Sequence, residues 1–153
     1  MFGKGVNGAG KTTTFKMLTT DFEQTKGDIL VTQEDSINKT RKSLLNSLSH
    51  KRSYWKNIGY CPRFDALHDE LTPADHLRLF ARLKGIKSEY ENIIVKNLLR
   101  RLDLLQYQDK PVGSLSLGNK RKLSTALALV GNPSVVFLDE PTSGMVSITI
   151  TCI

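Results

Sequence analysis

The sequence predicts an α/β fold with a mostly parallel sheet and a helical subdomain. Three observations support this prediction. A glycine-rich segment, Gly5 to Thr12, runs directly into a short helical pattern, and a continuous apolar run, Val135 to Leu138, ends abruptly in two acids. Between them lie longer amphipathic patterns with helical spacing. A continuous apolar run is typical of a strand buried on both faces of a parallel sheet, and such sheets are covered by helices.

The first third of the chain predicts a short helix and two strands. Residues 13–20 are expected to form the helix, with Phe15, Met17 and Leu18 on its buried side. Strands are predicted at residues 27–32 and 57–61, because each is a short β-prone run between turn-forming or polar residues. The interval between them contains six basic residues with no acid among them: Lys39, Arg41, Lys42, Lys51, Arg52 and Lys56. It is interpreted as a solvated loop, with attraction of nucleic acid or anionic lipid as the alternative.

Three helices and a strand are predicted in the remainder. Thr72 as N-cap, Pro73 at the first helical position and Asp75 at the third predict a helix start. A second, amphipathic helix is predicted over residues 88–105, and a third over 119–130, ended by the Gly-Asn-Pro sequence at 131–133. Residues 135–138 then form the predicted buried strand.

Composition excludes several classes of protein. With 39% hydrophobic and 24% charged residues, the chain is neither disordered nor collagen-like nor a disulfide miniprotein. It has no apolar run near the ~20 residues of a membrane-spanning helix and no signal-peptide pattern at its start, so we expect neither a span nor export. Cys61 and Cys152 lie far apart without CxxC spacing, so they indicate neither a disulfide framework nor a zinc site, and a reducing compartment is expected. The net charge of +7 alone supports a nucleic-acid-binding alternative only weakly.

The segment from Gly5 to Thr12 fits the phosphate-binding pattern G-x-x-x-x-G-K-[ST]. Glycines without a Cβ allow backbone N–H groups to surround a phosphate, and the following helix N-terminus adds a positive dipole end. Lys11 supplies a point charge for the β- and γ-phosphates, and the Thr12 hydroxyl is suited to Mg²⁺. The alternative is a glycine-rich turn with a structural lysine.

Two further motifs suit the same chemistry. At the end of the apolar run, Asp139 would hold Mg²⁺ through its water shell and Glu140 would orient or deprotonate an attacking water. Ser116 and Gly118 open the third helix and could form an anion site for a nucleotide held by another subunit. The alternative for this last motif is a serine N-cap followed by an exposed basic face.

The motifs and their order resemble the nucleotide-binding domain of an ABC transporter. Residues 5–12 match Walker A, 115–119 the LSGGQ signature and 135–140 Walker B. The amino-acid sequences of four segments are similar to those of the A subfamily (ABCA), and within it to the second, C-terminal nucleotide-binding domain. The resemblance covers about residues 3–145 and implies a P-loop NTPase core in an ATPase that uses ATP and Mg²⁺ and transports lipid.

The resemblance also implies site residues and partners. Glu140 would be catalytic, and Thr12 and Asp139 would bind the metal. The implied nucleotide-binding residues are Gly5, Asn7, Gly8, Ala9, Gly10, Lys11, Thr12, Thr13, Ser116 and Gly118. The partners would be transmembrane domains and a second nucleotide-binding domain, whose ATP Ser116 and Gly118 would contact. We expect no nucleic acid, and a place at the cytoplasmic face of a membrane reached only through the transporter.

Some positions depart from the family pattern. Arg63 stands at the Q-loop glutamine, Leu117 replaces a signature glycine and Val146 replaces the D-loop aspartate. We expect the central strand before residue 5 and the switch histidine to be missing, so that the chain is a domain truncated at both ends. Its expected parts are core portions at 1–71 and 132–145, a helical and signature subdomain at 72–131 and a divergent tail at 146–153. The alternative function is therefore a non-hydrolysing nucleotide-binding or interaction fragment.

Overall fold

In a computed structural model of the chain, the described residues are 10–23, 25–27, 30–34, 39–43 and 48–139. The chain divides into two compact units, residues 1–57 and 58–153, and each is considered by itself. Several predicted features lie outside the described residues, namely the tail at 146–153 and the site residues Gly5, Asn7, Gly8, Ala9 and Glu140.

The described residues of the first unit form two helices and an antiparallel pair of strands. Helix α1 spans Lys11–Leu18, two residues earlier than predicted. Strand β1, Leu30–Glu34, pairs antiparallel with strand β2, Lys39–Ser43, in a register that places Thr32 opposite Arg41. Helix α2, Leu48–Asn57, completes the described part of this unit.

The prediction of a loop between residues 32 and 57 was wrong. Most of that interval is regular structure, because β2 pairs along its whole length with β1 and because α2 is anchored to the end of α1. The Tyr54 hydroxyl donates to the Leu18 carbonyl at 2.9 Å, and the Trp55 indole N–H donates to the Thr20 hydroxyl at 2.8 Å. Both contacts join residues about 35 positions apart, so a local reading of basic residues does not reveal them.

The second unit contains a parallel strand pair. Strand β3, Ile58–Cys61, pairs with strand β4, Val135–Leu138, in the register Ile58 to Val135 through Cys61 to Leu138. Both strands lie where the sequence predicts them. The expectation that β4 is buried on both faces was wrong within the described residues, because Val135 is 47% exposed and the rest of the strand is only partly buried.

Three helices pack around the core of this unit. Helix α3 spans Pro73–Leu83, α4 spans Ser88–Arg101 and α5 spans Leu117–Leu129, with short 3₁₀ turns at Leu105–Tyr107 and Val112–Ser114. Helix α4 ends four residues before the predicted boundary, and the chain reverses at Asp103, whose φ is +55°. Helix α5 begins two residues earlier than predicted because Ser116 is its N-cap.

The described hydrophobic core lies among these helices. Its members are Ala74, Leu77, Ala81, Val95, Leu99, Leu102, Leu104, Val112, Leu115, Leu123, Ala126, Leu127 and Val130. Burial of this apolar surface supplies the main favourable free energy of folding. Within the described ranges, none of the helices combines the length and apolarity that crossing a bilayer requires.

Helix α3 begins after Thr72, the N-cap that the sequence predicts, and the structure shows a reciprocal capping box there. The Thr72 hydroxyl accepts from the Asp75 backbone N–H at 3.1 Å and donates to the Asp75 carboxylate at 2.6 Å, and that carboxylate accepts from the Thr72 N–H at 3.4 Å. Hydrogen bonds from Thr72 lower the pKa of Asp75, and Arg78 at 3.3 Å adds to the effect. The ionised carboxylate therefore stabilises the helix start.

Asp75→Asn is expected to cost about 1 kcal/mol of unfolding free energy at pH 7, the usual value of such a cap. The folded pKa lies below the unfolded one, so this contribution is complete above the unfolded pKa of about 3.9 and is lost as the pH falls through the folded pKa. Urea unfolding of both forms at pH 7 and near pH 2 measures the difference. Asp109→Asn, at an exposed carboxylate outside the helices, is the control. An equal cost of Asp75→Asn at both pH values would contradict the assignment.

Candidate functional site

The junction between the glycine-rich segment and α1 is described from Gly10 onward. Gly10 has φ +76°, a left-handed conformation that glycine adopts without strain. Its carbonyl accepts from the Thr14 backbone N–H at 2.9 Å and from the Thr14 hydroxyl at 3.0 Å. The chain therefore turns sharply at Gly10 and enters the helix at Lys11.

The N-terminal turn of α1 suits an anion. It contains no acidic residue, and a helix N-terminus carries a partial positive charge. Thr12 and Thr13, both predicted to bind nucleotide, are exposed on this turn. Lys11 is the first residue of the helix, which places its backbone next to Gly10.

In the second unit, Asp139 follows directly after β4 and is buried, with 2% of its surface exposed. Its backbone N–H donates to the Cys61 carbonyl at 3.0 Å, which extends the pairing between β3 and β4 by one hydrogen bond. Its backbone carbonyl accepts from the guanidinium of Arg121. The residue predicted to bind metal thus has its backbone held on both sides.

Arg121 is a buried cation that the sequence reading missed. The alternative for the signature motif, a serine N-cap followed by an exposed basic face, does not hold for Arg121, because only 2% of its surface is exposed. Its guanidinium donates to the Pro62 carbonyl, to the Asp139 carbonyl and to the Asp65 carboxylate, the last at 3.0 Å. Arg121 therefore joins α5 to the segments that follow β3 and β4.

A signal for this burial is present in the sequence. Arg121 shares a helix face with Ser124, Thr125 and Ala128, which lie three, four and seven residues further on. All three are small and buried, and the Thr125 hydroxyl donates to the Arg121 carbonyl at 3.0 Å. A stripe of small residues leaves room for a long side chain beside it. The position of Arg121 on that stripe is compatible with burial, and the acceptors that stabilise the buried charge come from distant segments of the chain.

Cys61 adjoins the same cluster. Burial raises the pKa of its thiol, while the nearby Arg121 and a hydrogen bond with Thr125 act in the opposite direction. The thiol therefore stays protonated at neutral pH and acts as a small buried side chain.

The segment after β3 is tied to α5 by two ion pairs. Besides the buried pair of Arg121 with Asp65, Lys120 contacts Asp69 at 2.8 Å in a much more exposed setting. Arg63 lies on the exposed side of this segment, with its guanidinium 5.9 Å from the centre of the Phe64 ring. The structure thus places an exposed cation where the family resemblance expects a glutamine.

The signature motif opens α5. The Ser116 hydroxyl accepts from the Asn119 backbone N–H at 3.3 Å, so Ser116 acts as the N-cap, and Gly118 lies within the first turn. A hydroxyl also has a donor, so capping does not prevent contact with an anion. Leu117 between them is 79% exposed and adds an apolar side chain at this surface.

His76 is the buried histidine of the helical region. Its Nδ1–H donates to the Thr72 carbonyl at 3.0 Å, and its Nε2 accepts from the His68 backbone N–H at 3.0 Å. Both ring nitrogens are therefore used in local structure, and His76 belongs to the fold.

The described residues include no group of three His, Cys, Asp or Glu side chains that could hold a metal ion. Mg²⁺ does not require one, because it is commonly held by one or two carboxylates together with water and substrate phosphates. The carboxylate of the buried Asp139 is therefore a donor of the kind that Mg²⁺ uses beside a nucleotide.

The chain matches a known protein family. Residues 4–143 match the family described as ABC transporter. The chain is 51% identical over 141 residues to human "ATP-binding cassette sub-family A member 2" and 48% identical over 141 residues to mouse "Glucosylceramide transporter ABCA12". It is 49% identical over 141 residues to bovine "Retinal-specific phospholipid-transporting ATPase ABCA4". In each case the similarity covers 92% of this chain but only 5–6% of the relative.

A solved structure shows the same fold. The protein named "Structure of ATP binding subunit of ABC transporter" is similar with a TM-score of 0.72 and 27% sequence identity. The similarity covers 92% of this chain and 54% of that one. The predicted α/β class with a parallel sheet and helices is thereby confirmed.

Proposed function

Because this chain belongs to the ABC transporter family and is an ABCA-like nucleotide-binding domain, we propose that it binds ATP with Mg²⁺ and couples ATP binding and hydrolysis to lipid transport across a membrane. Domains of this family bind ATP, generally with Mg²⁺. What we propose for this chain is which of its residues bind and hydrolyse ATP, which class of cargo is transported and which domains are its partners.

The junction at Gly10 is the observation that most supports nucleotide binding. A left-handed glycine immediately before a helix, with no acid in the first helical turn, is the local geometry that a phosphate-binding loop needs. The residues proposed to bind the nucleotide are those of the motif: Gly5, Asn7, Gly8, Ala9, Gly10, Lys11, Thr12 and Thr13.

The proposed chemistry assigns one role to the metal-binding residues and another to Glu140. Thr12 and Asp139 would hold Mg²⁺, which neutralises charge on the phosphate oxygens. Glu140, the next residue after Asp139, would orient the attacking water or accept its proton. The burial of Asp139 supports its role, because a carboxylate removed from bulk water interacts more strongly with a cation.

The proposed partners follow from the relatives. Their names specify glucosylceramide and phospholipid as cargo, which supports a lipid for the transporter that contains this chain. We propose transmembrane domains and a second nucleotide-binding domain as partners, at the cytoplasmic face of a membrane. The exposed Ser116 and the partly buried Gly118, at the start of α5, would contact ATP held by that second domain.

Two observations favour the alternative, a fragment that binds nucleotide without hydrolysing it. Leu117 projects from the turn that would have to approach the partner's ATP. Arg63 has donors but no acceptor, so it cannot ligate Mg²⁺ in place of the expected glutamine. Both changes weaken turnover and leave the phosphate-binding loop intact.

Binding and phosphate release by the purified full chain separate these functions. We expect a fluorescent ATP analogue to bind with Mg²⁺ and phosphate release to stay close to background, because the composite site requires a second domain. Glu140→Gln is expected to leave binding unchanged. Failure to bind ATP at millimolar concentration would overturn the proposal, whereas phosphate release that Glu140→Gln abolishes would eliminate the non-hydrolysing alternative.

A further inference from the structure

Arg121 connects three segments through one side chain. Its acceptors are the Pro62 carbonyl just after β3, the Asp65 carboxylate three residues later and the Asp139 carbonyl just after β4. These contacts lie at the carboxyl ends of two paired parallel strands, while Arg121 itself belongs to α5. Arg121 thus links helix α5, which begins with the signature motif, to the segment after β3 and to Asp139, the residue predicted to bind metal.

The buried guanidinium of Arg121 is held firmly because few other orientations are available to it. Its donors project from a rigid planar fork, so moving the group to improve one contact weakens the others. The side chain is almost completely buried, and its Nε has no hydrogen-bond partner among the described residues. Its orientation therefore depends on the three contacts made by the terminal nitrogens, in a low-dielectric setting where they are strong.

The effect on Asp139 follows from peptide geometry. The N–H of Asp139 belongs to the peptide plane before its Cα, and its carbonyl belongs to the plane after it. The Cys61 carbonyl holds the first plane at 3.0 Å and Arg121 holds the second. When both planes are held, φ and ψ at Asp139 are set, and so is the direction of its Cα–Cβ bond.

We propose that Arg121 is a positioning residue that aims the Asp139 carboxylate for Mg²⁺ and keeps α5 in a fixed position relative to that carboxylate. Arg121 touches neither metal nor nucleotide in this role. It acts through the backbone of Asp139, and Asp65 orients it. This inference rests on the proposed binding of ATP with Mg²⁺.

The test compares ATP affinity in Mg²⁺ with ATP affinity in EDTA, using the full chain and a fluorescent ATP analogue. Arg121→Met is expected to reduce the gain in affinity due to Mg²⁺ at least tenfold and to change affinity in EDTA less than twofold. Arg121→Lys keeps the positive charge but lacks the planar guanidinium. We expect it to lose part of the gain in affinity due to Mg²⁺, less than Arg121→Met loses. Lys120→Met, at the adjacent residue in the exposed pair with Asp69, should change neither affinity.

Hydrogen exchange of the nucleotide-free chain gives a second readout. Arg121→Met should speed exchange of the Asp139 amide at least tenfold relative to Lys120→Met, because the peptide after Asp139 is no longer held. Should Arg121→Met fail to fold, Asp65→Asn serves instead, since it keeps the guanidinium and removes only its charged acceptor. Asp65→Asn should lower the gain in ATP affinity due to Mg²⁺ and should speed hydrogen exchange of the Asp139 amide, each by a factor of about 3.

The outcomes separate the two claims. If the wild-type chain binds no ATP, the proposed function fails, and hydrogen exchange alone decides whether Arg121 holds Asp139. If the wild-type chain binds ATP and folded variants keep the full Mg²⁺ gain, the positioning role is overturned. An equal loss of affinity in Mg²⁺ and in EDTA would overturn it as well, because that pattern indicates a general structural effect.

Discussion

Gly59→Ala is expected to destabilise the second unit by at least about 3 kcal/mol, the upper end of the usual cost of overpacking. A Cβ at this position would overlap the Ala128 carbonyl oxygen and would lie 2.9 Å from the carbonyl carbon. Both are backbone atoms of α5, so no side-chain rotation relieves the clash. Strand and helix would have to separate, and the surrounding core, packed as densely as a crystal, would lose contacts.

Urea unfolding followed by circular dichroism measures this cost. Gly113→Ala is a matched control, because its Cβ would lie 3.2 Å from the Cβ of Asp69. This contact and the one of 3.3 Å to the Asp69 backbone oxygen are tight without severe overlap, so a shift of a few tenths of an ångström relieves them and we expect a cost below about 1 kcal/mol. Comparable costs for the two alanines would show that α5 does not pack against Gly59 as closely as described.

Lys11→Met is expected to weaken ATP binding roughly 30- to 150-fold, which corresponds to about 2–3 kcal/mol for loss of a charge-assisted contact. The reason is the motif: Lys11 follows Gly10 at the first position of α1, where the phosphate-binding pattern places its point charge on the β- and γ-phosphates. Methionine keeps the length and helix propensity of the side chain but removes the charge. Titration of the full chain with a fluorescent ATP analogue measures the change.

Lys16→Met provides the control on the same helix. Its ammonium lies 4.8 Å from the centre of the Phe22 ring, so the substitution removes an equal charge away from the glycine-rich segment. We expect ATP affinity to change less than threefold. Equal losses for both variants would mean that net charge, and not a specific phosphate contact, governs binding.

Local features of the sequence predicted most of the second unit. The helix start marked by Thr72, Pro73 and Asp75 lies within four residues, and the structure confirms it. The helices α3, α4 and α5 and the strands β3 and β4 occur where periodicity and apolar runs indicate, with boundaries shifted by up to four residues. The resemblance to an ABCA nucleotide-binding domain is also confirmed, because its motifs are short and strict in their spacing.

Other expectations stay predictions. The site residues of the glycine-rich segment and Glu140 rest on the motifs, and so does the division into core and helical subdomain. The roles of Ser116 and Gly118 toward a second domain have the same status, although the structure shows that Ser116 caps α5.

The sequence by itself determined the family, the phosphate-binding pattern and the starts of α3 and α4, because each of these depends on residues close together in the chain. Only the tertiary structure decided that the basic segment contains β2 and α2, and that Arg121 is buried. Strand pairing and burial of a charge depend on partners far away in sequence: Asp65 lies 56 positions from Arg121. A cation is stable inside a protein only where such partners converge on it, and that convergence is a property of the folded chain.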